Sequence, residues 1–281
     1  MQSLQLANGE RTVPVLGLGT ARLGDSEAAR DDEVRAVGHA LQLGYRLIDT
    51  AEMYGAGGAE EVVGAALAAS GLARDAVFVV SKVYPHHASR AGVQAACRRS
   101  LQRLGLAHID LYLLHWRGAA PLAETVAGFE DLRRDGLIRD WGVSNFDVAD
   151  LEVLWGVPDG SRCAANQVYY SLTARGIEFD LLPWLRAHGV AAMAHSPIDQ
   201  GPLAQSGALQ SLAQPLGLTA AQLALAWVLR QPGVIAVAKA AQPAHQRDNL
   251  AAAAVELPAP VLAELDRLYP PPRCKQPLAL T

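Results

Sequence analysis

Short apolar, β-branched runs alternate along this chain with longer stretches whose apolar residues recur every three or four positions. The first pattern suits strands and the second amphipathic helices. Runs over 4–6 and 11–14, joined through Asn8-Gly9, predict a hairpin on a favoured turn dipeptide. A strand over 15–19 follows. Asp31-Asp32-Glu33 then place acid where the positive end of a helix dipole favours it, Val34, Val37 and Leu41 continue at helical spacing, and Gly44 ends the helix. The unit recurs as strand 46–49, helix 59–69, strand 77–82, a helix from Ser89, strand 109–114, helix 121–135, strand 138–143 and helix 147–155. Strand 164–168, helix 178–188, strand 190–194, a helix capped by Thr219 with Gln222 as its box partner, strand 234–238 and helix 243–253 come next. An extra helix over 258–268 and a proline-containing tail over 269–281 complete the chain, the tail able to fold over one end of the molecule.

Eight strands in strict alternation with helices predict an α/β (β/α)8 TIM barrel with an N-terminal β-hairpin and an extra C-terminal helix and tail. The competing architecture, an open doubly wound sheet, would switch its pattern part-way, and this chain does not. The stretch Gly17-Leu18-Gly19-Thr20 resembles the start of a dinucleotide-binding fingerprint, but the third glycine, the helix and the following acid are missing. The 281 residues are close to the ~250 of one barrel, and no Ser/Gly-rich or charge-dense linker interrupts them, so one domain over 1–281 is expected.

Three chemically potent residues close successive strands: Asp49, Lys82 and His115, each 33 residues from the next. In a parallel barrel that end of the strands is where active sites are built. Tyr54 lies five residues beyond Asp49. A phenol of pKa ~10 is a poor acid near neutrality unless its phenolate is stabilised. An ammonium ~4 Å away at an effective dielectric of ~20 contributes ~4 kcal/mol, roughly three pKa units before desolvation. Lys82 is the candidate cation, Asp49 would hold it charged, and His115 would share a hydrogen bond with a substrate oxygen. The set is a tuned proton donor without a nucleophile, and it fits reduction of a carbonyl.

Composition narrows the classes further. A net charge of −4 with no basic block argues against nucleic acid, and 51% apolar residues supply a large core. The most apolar stretch, 223–229, is far short of the ~18 residues a span needs, and no basic and apolar leader is present, so neither membrane residence nor export is expected. Cys97, Cys163 and Cys274, widely spaced and odd in number, suit a reducing cytoplasm. The expected partner is a small carbonyl compound, with no obligate protein partner implied.

The segments Gly44-Tyr45-Arg46-Leu47-Ile48-Asp49-Thr50-Ala51 with Tyr54-Gly55, Leu113-Leu114-His115-Trp116, Gly142-Val143-Ser144-Asn145-Phe146, Asn166-Gln167 and Val237-Ala238-Lys239 together resemble signatures of the aldo-keto reductase superfamily. The matches run from the hairpin to about residue 250. The resemblance implies a barrel that binds NADPH extended across its mouth, with Asp49, Tyr54, Lys82 and His115 as the catalytic group and a monomer as the default state. It further implies that Ser144, Asn145 and Gln167 meet the nicotinamide carboxamide, that Gly19 and Thr20 and the stretch Ser196, Pro197, Ile198 and Gln200 lie beside the cofactor, and that Asn249, with Asp248, faces the adenine. Tyr84, Trp116 and Ala21 would line the substrate pocket, with His86 and the tail nearby.

The departures cluster on the cofactor side. Where relatives carry a tyrosine that stacks on the nicotinamide, this chain has His195, so looser and pH-sensitive cofactor binding is expected. Asp199 stands near the expected pyrophosphate path and would repel it unless turned away. Lys239 matches the lysine for the 2′-phosphate, but His245 replaces the arginine six residues later, and Arg247 is the candidate substitute. NADPH is the expected cofactor, with NADH admitted beside it. Ala21 replaces a frequent tryptophan and would widen the pocket there, and Arg273 and Lys275 are either a draw for an anionic substrate or simply solvated.

Two other readings have their own signals. A metal-dependent barrel hydrolase would gather His, Asp and Lys at strand ends, but a His-x-His pair is missing from the first strand and His86-His87 adjoin in a loop, so no metal site is expected. A non-catalytic NADP-binding sensor is kept open by His195 and opposed by the complete catalytic set.

Overall fold

A computed structural model describes residues 2–6, 12–199 and 201–280. The expected hairpin is β1 (Ser3–Gln5) and β2 (Thr12–Pro14), antiparallel with Leu4 opposite Val13. Its Asn8-Gly9 turn lies outside the described residues, as does Gln200. Eight parallel strands follow: β3 (Leu16–Gly19), β4 (Leu47–Asp49), β5 (Phe78–Val83), β6 (Ile109–Leu114), β7 (Ile138–Ser144), β8 (Ala165–Tyr169), β9 (Ala191–His195) and β10 (Val234–Lys239). They pair in chain order and β10 closes onto β3, making the predicted barrel.

Side chains alternate across each strand, and this sorts the core into two layers. Leu47, Val80, Leu111, Leu113, Ala165, Met193, Ile235 and Val237 pack together inside the barrel with Leu6 and Val13 of the hairpin, which therefore covers one end. Ile48, Val79, Tyr112, Leu114 and Val168 belong to the outer layer beneath the helices. Continuing the inner parity by one step to the opposite end reaches Asp49, Lys82, His115, Gln167, His195 and Lys239. The polar residues are thus the last inward-facing positions of strands that are otherwise apolar inside.

Helices α1 (Arg30–Leu43), α2 (Gly58–Ser70), α3 (Arg90–Leu104), α4 (Leu122–Arg134), α5 (Val148–Trp155) and α6 (Leu181–Ala187) lie near the predicted ranges, α6 beginning later than expected. After α7 (Gly207–Ala213), which has no counterpart in the sequence reading, come α8 (Ala220–Leu229), α9 (Pro243–Ala252) and α10 (Ala259–Leu268). Local chemistry sets the ends. Gly44 closes α1 at φ 109°, Ser89 caps α3 by accepting from the Gly92 N–H, and Thr219 and Gln222 form the expected capping box. Among the described residues no single helix is long and apolar enough to cross a membrane.

The tail returns toward the mouth. Lys275 bridges Asp180 at 2.8 Å and Asp147 at 2.9 Å, residues that follow β8 and β7, while Arg175 holds Asp266 at 2.7 Å and donates to the carbonyl of Tyr269. Lys275 is therefore a strap for the tail, which corrects its reading as a draw for an anionic substrate.

Candidate active site

Asp49 ends β4 opposite Val80, and Lys82 stands two residues further along β5, so both side chains point inward at the same end of the barrel. Lys82 is fully enclosed and donates to Asp49 Oδ2 at 2.8 Å, the Thr50 carbonyl at 2.9 Å and Tyr54 Oη at 3.3 Å. Asp49 Oδ1 accepts from Gln167 Nε2 at 2.8 Å, so both carboxylate oxygens are satisfied. Burial works to strip the Lys82 charge, but Asp49 and then Tyr54 outweigh it and the net shift is upward, so the ammonium persists.

Tyr54 is carried by a tight 3-10 turn over Tyr54–Gly57 rather than by a strand. That turn requires glycine. Gly55 has φ +55°, and a Cβ there would come within 2.4 Å of the Gly24 carbonyl oxygen. The close approach of the 24 and 55 backbones drops the phenol onto Lys82. Burial is the largest influence on Tyr54 and raises its pKa; Lys82 opposes that rise and Asp49 adds to it. Desolvation, which the sequence-level figure for the ammonium left out, exceeds that pull, so the net shift is upward rather than downward and Tyr54 keeps its proton.

His115 follows β6 with its ring edge-on to Tyr54, centroids 5.7 Å apart. Burial first, then Lys82 and His195, push its pKa down to about 2, so the imidazole is neutral. Its Nδ1 is buried and has no hydrogen-bond partner among the described residues. A ring extends outward from it: Trp116 lies 5.0 Å from His115, Tyr84 lies 5.4 Å from Trp116, and His86 stacks on Tyr84 at 4.3 Å. Sequence reasoning missed Glu52. It is buried, accepts from the Tyr84 N–H at 2.8 Å, contacts His87 Nδ1 at 2.9 Å, and so fixes the start of this aromatic wall. An acid between Asp49 and Tyr54 was the available signal.

Ser144 and Asn145 lie where β7 leaves the barrel. Ser144 Oγ donates to the Gln167 carbonyl at 2.8 Å, and Asn145, at φ 59°, donates its amide to the His115 carbonyl at 3.1 Å. Asparagine tolerates this left-handed backbone better than most residues. Gln167 gives one of its two amide N–H groups to Asp49. Thr20 is fully buried and donates to the Asp49 carbonyl at 3.0 Å, so its hydroxyl holds the end of β4. Gly19 pairs with Lys239 across β3 and β10, and Ala21 is only partly buried beyond them.

His195 ends β9, partly buried, with Ser196 Oγ 3.3 Å from Nδ1; Pro197 is buried and Ile198 partly so. Burial, then Lys82, lowers His195 to about 4. A neutral ring near pH 7 corrects the expectation of pH-sensitive cofactor binding in that range. Tyr169 Oη donates to Asp199 Oδ1, so this carboxylate is engaged by a neighbour.

The remaining cofactor candidates sit around α9. Lys239, His245 and Arg247 are exposed at the end of β10 and the start of the helix, whose first turn has no side-chain cap. Between His245 and Arg247, Gln246 is buried and bonds the Ala36 carbonyl at 2.8 Å and the Ala240 carbonyl at 3.0 Å, which turns its neighbours outward. Uncapped N–H groups with exposed cations suit an anion. Asn249 is buried and its Nδ2 has no partner among the described residues. Among the described residues no group of three or more His, Cys, Asp or Glu is placed to hold a metal.

Residues 15–270 match the sequence profile of the aldo/keto reductase family. Methylglyoxal reductase YeaE of Escherichia coli is 47% identical over 276 residues, spanning 96% of each chain. An aldo-keto reductase from Klebsiella pneumoniae solved in complex with NADPH superimposes with a TM-score of 0.95 at 47% identity, covering 100% of this chain and 99% of that one. An aldo/keto reductase from the same organism in complex with NADP and acetate gives 0.95 at 48%, covering 99% of both. With its barrel, its buried Asp49–Lys82–Tyr54 cluster and a family match over nearly its whole length, this chain belongs to the aldo/keto reductase family.

Proposed function

We propose that this chain reduces aldehydes and ketones to alcohols with NADPH, Tyr54 giving the proton. The observation that carries the reading is Lys82 Nζ, held by Asp49 and the Thr50 carbonyl, 3.3 Å from the Tyr54 hydroxyl. Bound NADPH would supply the hydride that reaches the carbonyl carbon. The residues do the rest. Tyr54 stays protonated in the buried site, donates Oη–H to the carbonyl oxygen as negative charge grows there, and leaves its own phenolate beside the ammonium. Neutral His115 can hydrogen-bond the same oxygen and orient the carbonyl.

The residues fit the dinucleotide. Ser144, Asn145 and Gln167 would take the carboxamide, His195 would stack on the nicotinamide, Lys239 and Arg247 would take the 2′-phosphate, and Asn249 would give the adenine its unmatched Nδ2. Identity to the Escherichia coli methylglyoxal reductase supports a small 2-oxoaldehyde as substrate. Trp116, Tyr84 and the small Ala21 would shape the pocket around it. Free Cys97, Cys163 and Cys274 support a reducing cytoplasm, and a monomer remains the reading for the assembly.

The test is NADPH consumption over a panel of methylglyoxal, an aromatic aldehyde and a sugar-derived ketone, repeated with NADH and with Tyr54→Phe. Methylglyoxal is expected to lead, and Tyr54→Phe to lower kcat by about 10²- to 10⁴-fold with NADPH affinity nearly intact. Near-wild-type turnover by Tyr54→Phe would remove Tyr54 as the acid.

A further inference from the structure

The segment after β9 holds two residues with a Cβ in the left-handed region, Ser196 at φ 52° and Asp199 at φ 53°. Such a backbone persists only when neighbours hold it. Part of the hold is local: the Asp199 N–H donates to the Ser196 carbonyl at 2.9 Å, and the Gly201 N–H to that of Ile198 at 3.1 Å. The rest comes from Tyr169, which ends the adjacent strand. Tyr169 stands in register with His195, and their rings stack with centroids 5.4 Å apart and planes at 30°. The same tyrosine donates its hydroxyl to Asp199 Oδ1. Burial, then Asp199, raises its pKa, so it remains a donor. One side chain therefore touches both the ring expected to face nicotinamide and the carboxylate nearest the expected phosphate path.

We propose that Tyr169 is the positioning residue of the cofactor face: its ring backs the His195 imidazole into a fixed stacking surface, and its hydroxyl keeps the Asp199 carboxylate off the dinucleotide's phosphates. This rests on the reading that His195 and the segment after it face NADPH. An imidazole offers less area than a phenol ring and can turn about its χ angles. Stacked against Tyr169, it loses that freedom before the cofactor arrives. Released from Tyr169, Asp199 would bring a negative charge toward a diphosphate across little screening water.

A double-variant cycle tests the proposal, with NADPH dissociation constants read from quenching of tryptophan fluorescence and kinetics read separately. Tyr169→Phe keeps the ring and removes the hydroxyl, and should weaken NADPH about fivefold, the loss falling on KM for NADPH rather than on kcat. Asp199→Asn alone should shift affinity by less than about twofold, because the charge it removes is already turned away. Tyr169→Phe/Asp199→Asn should return to within about twofold of wild type, since no carboxylate remains to repel the phosphates. A double variant as weak as Tyr169→Phe would overturn the proposal, and so would Tyr169→Phe with wild-type affinity or with the loss in kcat. Failure of the wild-type chain to bind NADPH would overturn the cofactor reading itself, a distinct result from either.

Discussion

Replacing Lys82 by methionine removes the charge beside Tyr54, the proposed proton donor, while keeping an unbranched side chain of similar length. At the observed 3.3 Å and an effective dielectric of about 20, the ammonium stabilises a full phenolate by about 5 kcal/mol. Half-developed charge in the transition state gives about 2.5 kcal/mol, or nearly 10²-fold in rate, and full development several thousand-fold. The same change strands Asp49, which keeps only Gln167 as a side-chain partner. Breaking a buried pair on one side costs about 3–5 kcal/mol of stability. Lys82→Met should therefore turn over methylglyoxal about 10²- to 10³-fold more slowly at saturating NADPH and shift the urea midpoint sharply downward. Lys82→Met/Asp49→Asn, which leaves no unpaired charge, should recover most of the midpoint and none of the turnover. If Lys82→Met kept turnover within about tenfold of wild type, or if the double variant regained it, the ammonium would not be what stabilises the phenolate.

Arg247→Ala should weaken NADPH about tenfold or more while leaving NADH nearly unaffected, because only the former carries the 2′-phosphate; equal losses would assign Arg247 elsewhere. His195→Tyr should tighten NADPH through added stacking area, and unchanged affinity would count against His195 as the stacking residue. The same variant should alter acid stability. With His195 pushed from 6.5 to about 4 in the folded chain, the unfolded chain binds more protons between those values, so stability is full above pH 6.5 and is lost as pH falls toward 4. Removing the imidazole should flatten that loss by up to about 1.4 kcal/mol per pH unit, measured from urea midpoints; an unchanged slope would mean that His195 titrates normally.

Much of the architecture was legible because it is written locally. Period-two and period-3.6 patterns, Gly44, and the Thr219–Gln222 box each act within a few residues. The missed α7 is short and lies between Gly201-Pro202 and Pro215, where breaker residues hide about two helical turns. Asp49, Lys82 and His115 were legible as neighbours because strand ends in a parallel barrel share one rim, and Tyr54 because it follows Asp49 by only five residues. The balance acting on Tyr54 was not. It depends on how completely water is excluded around the phenol, which exists only once the segment is folded against the barrel.

The alternation of apolar and polar positions determined by itself that this chain would close a parallel barrel and bring its chemistry to one end. Only the tertiary structure decided which partners those groups have. Gln167 reaches Asp49 across 118 positions, Tyr169 takes Asp199 across 30, and Lys275 straps the tail to Asp180 across 95. No local pattern encodes such pairs, because their energy comes from distances and desolvation that exist only once the strands are side by side.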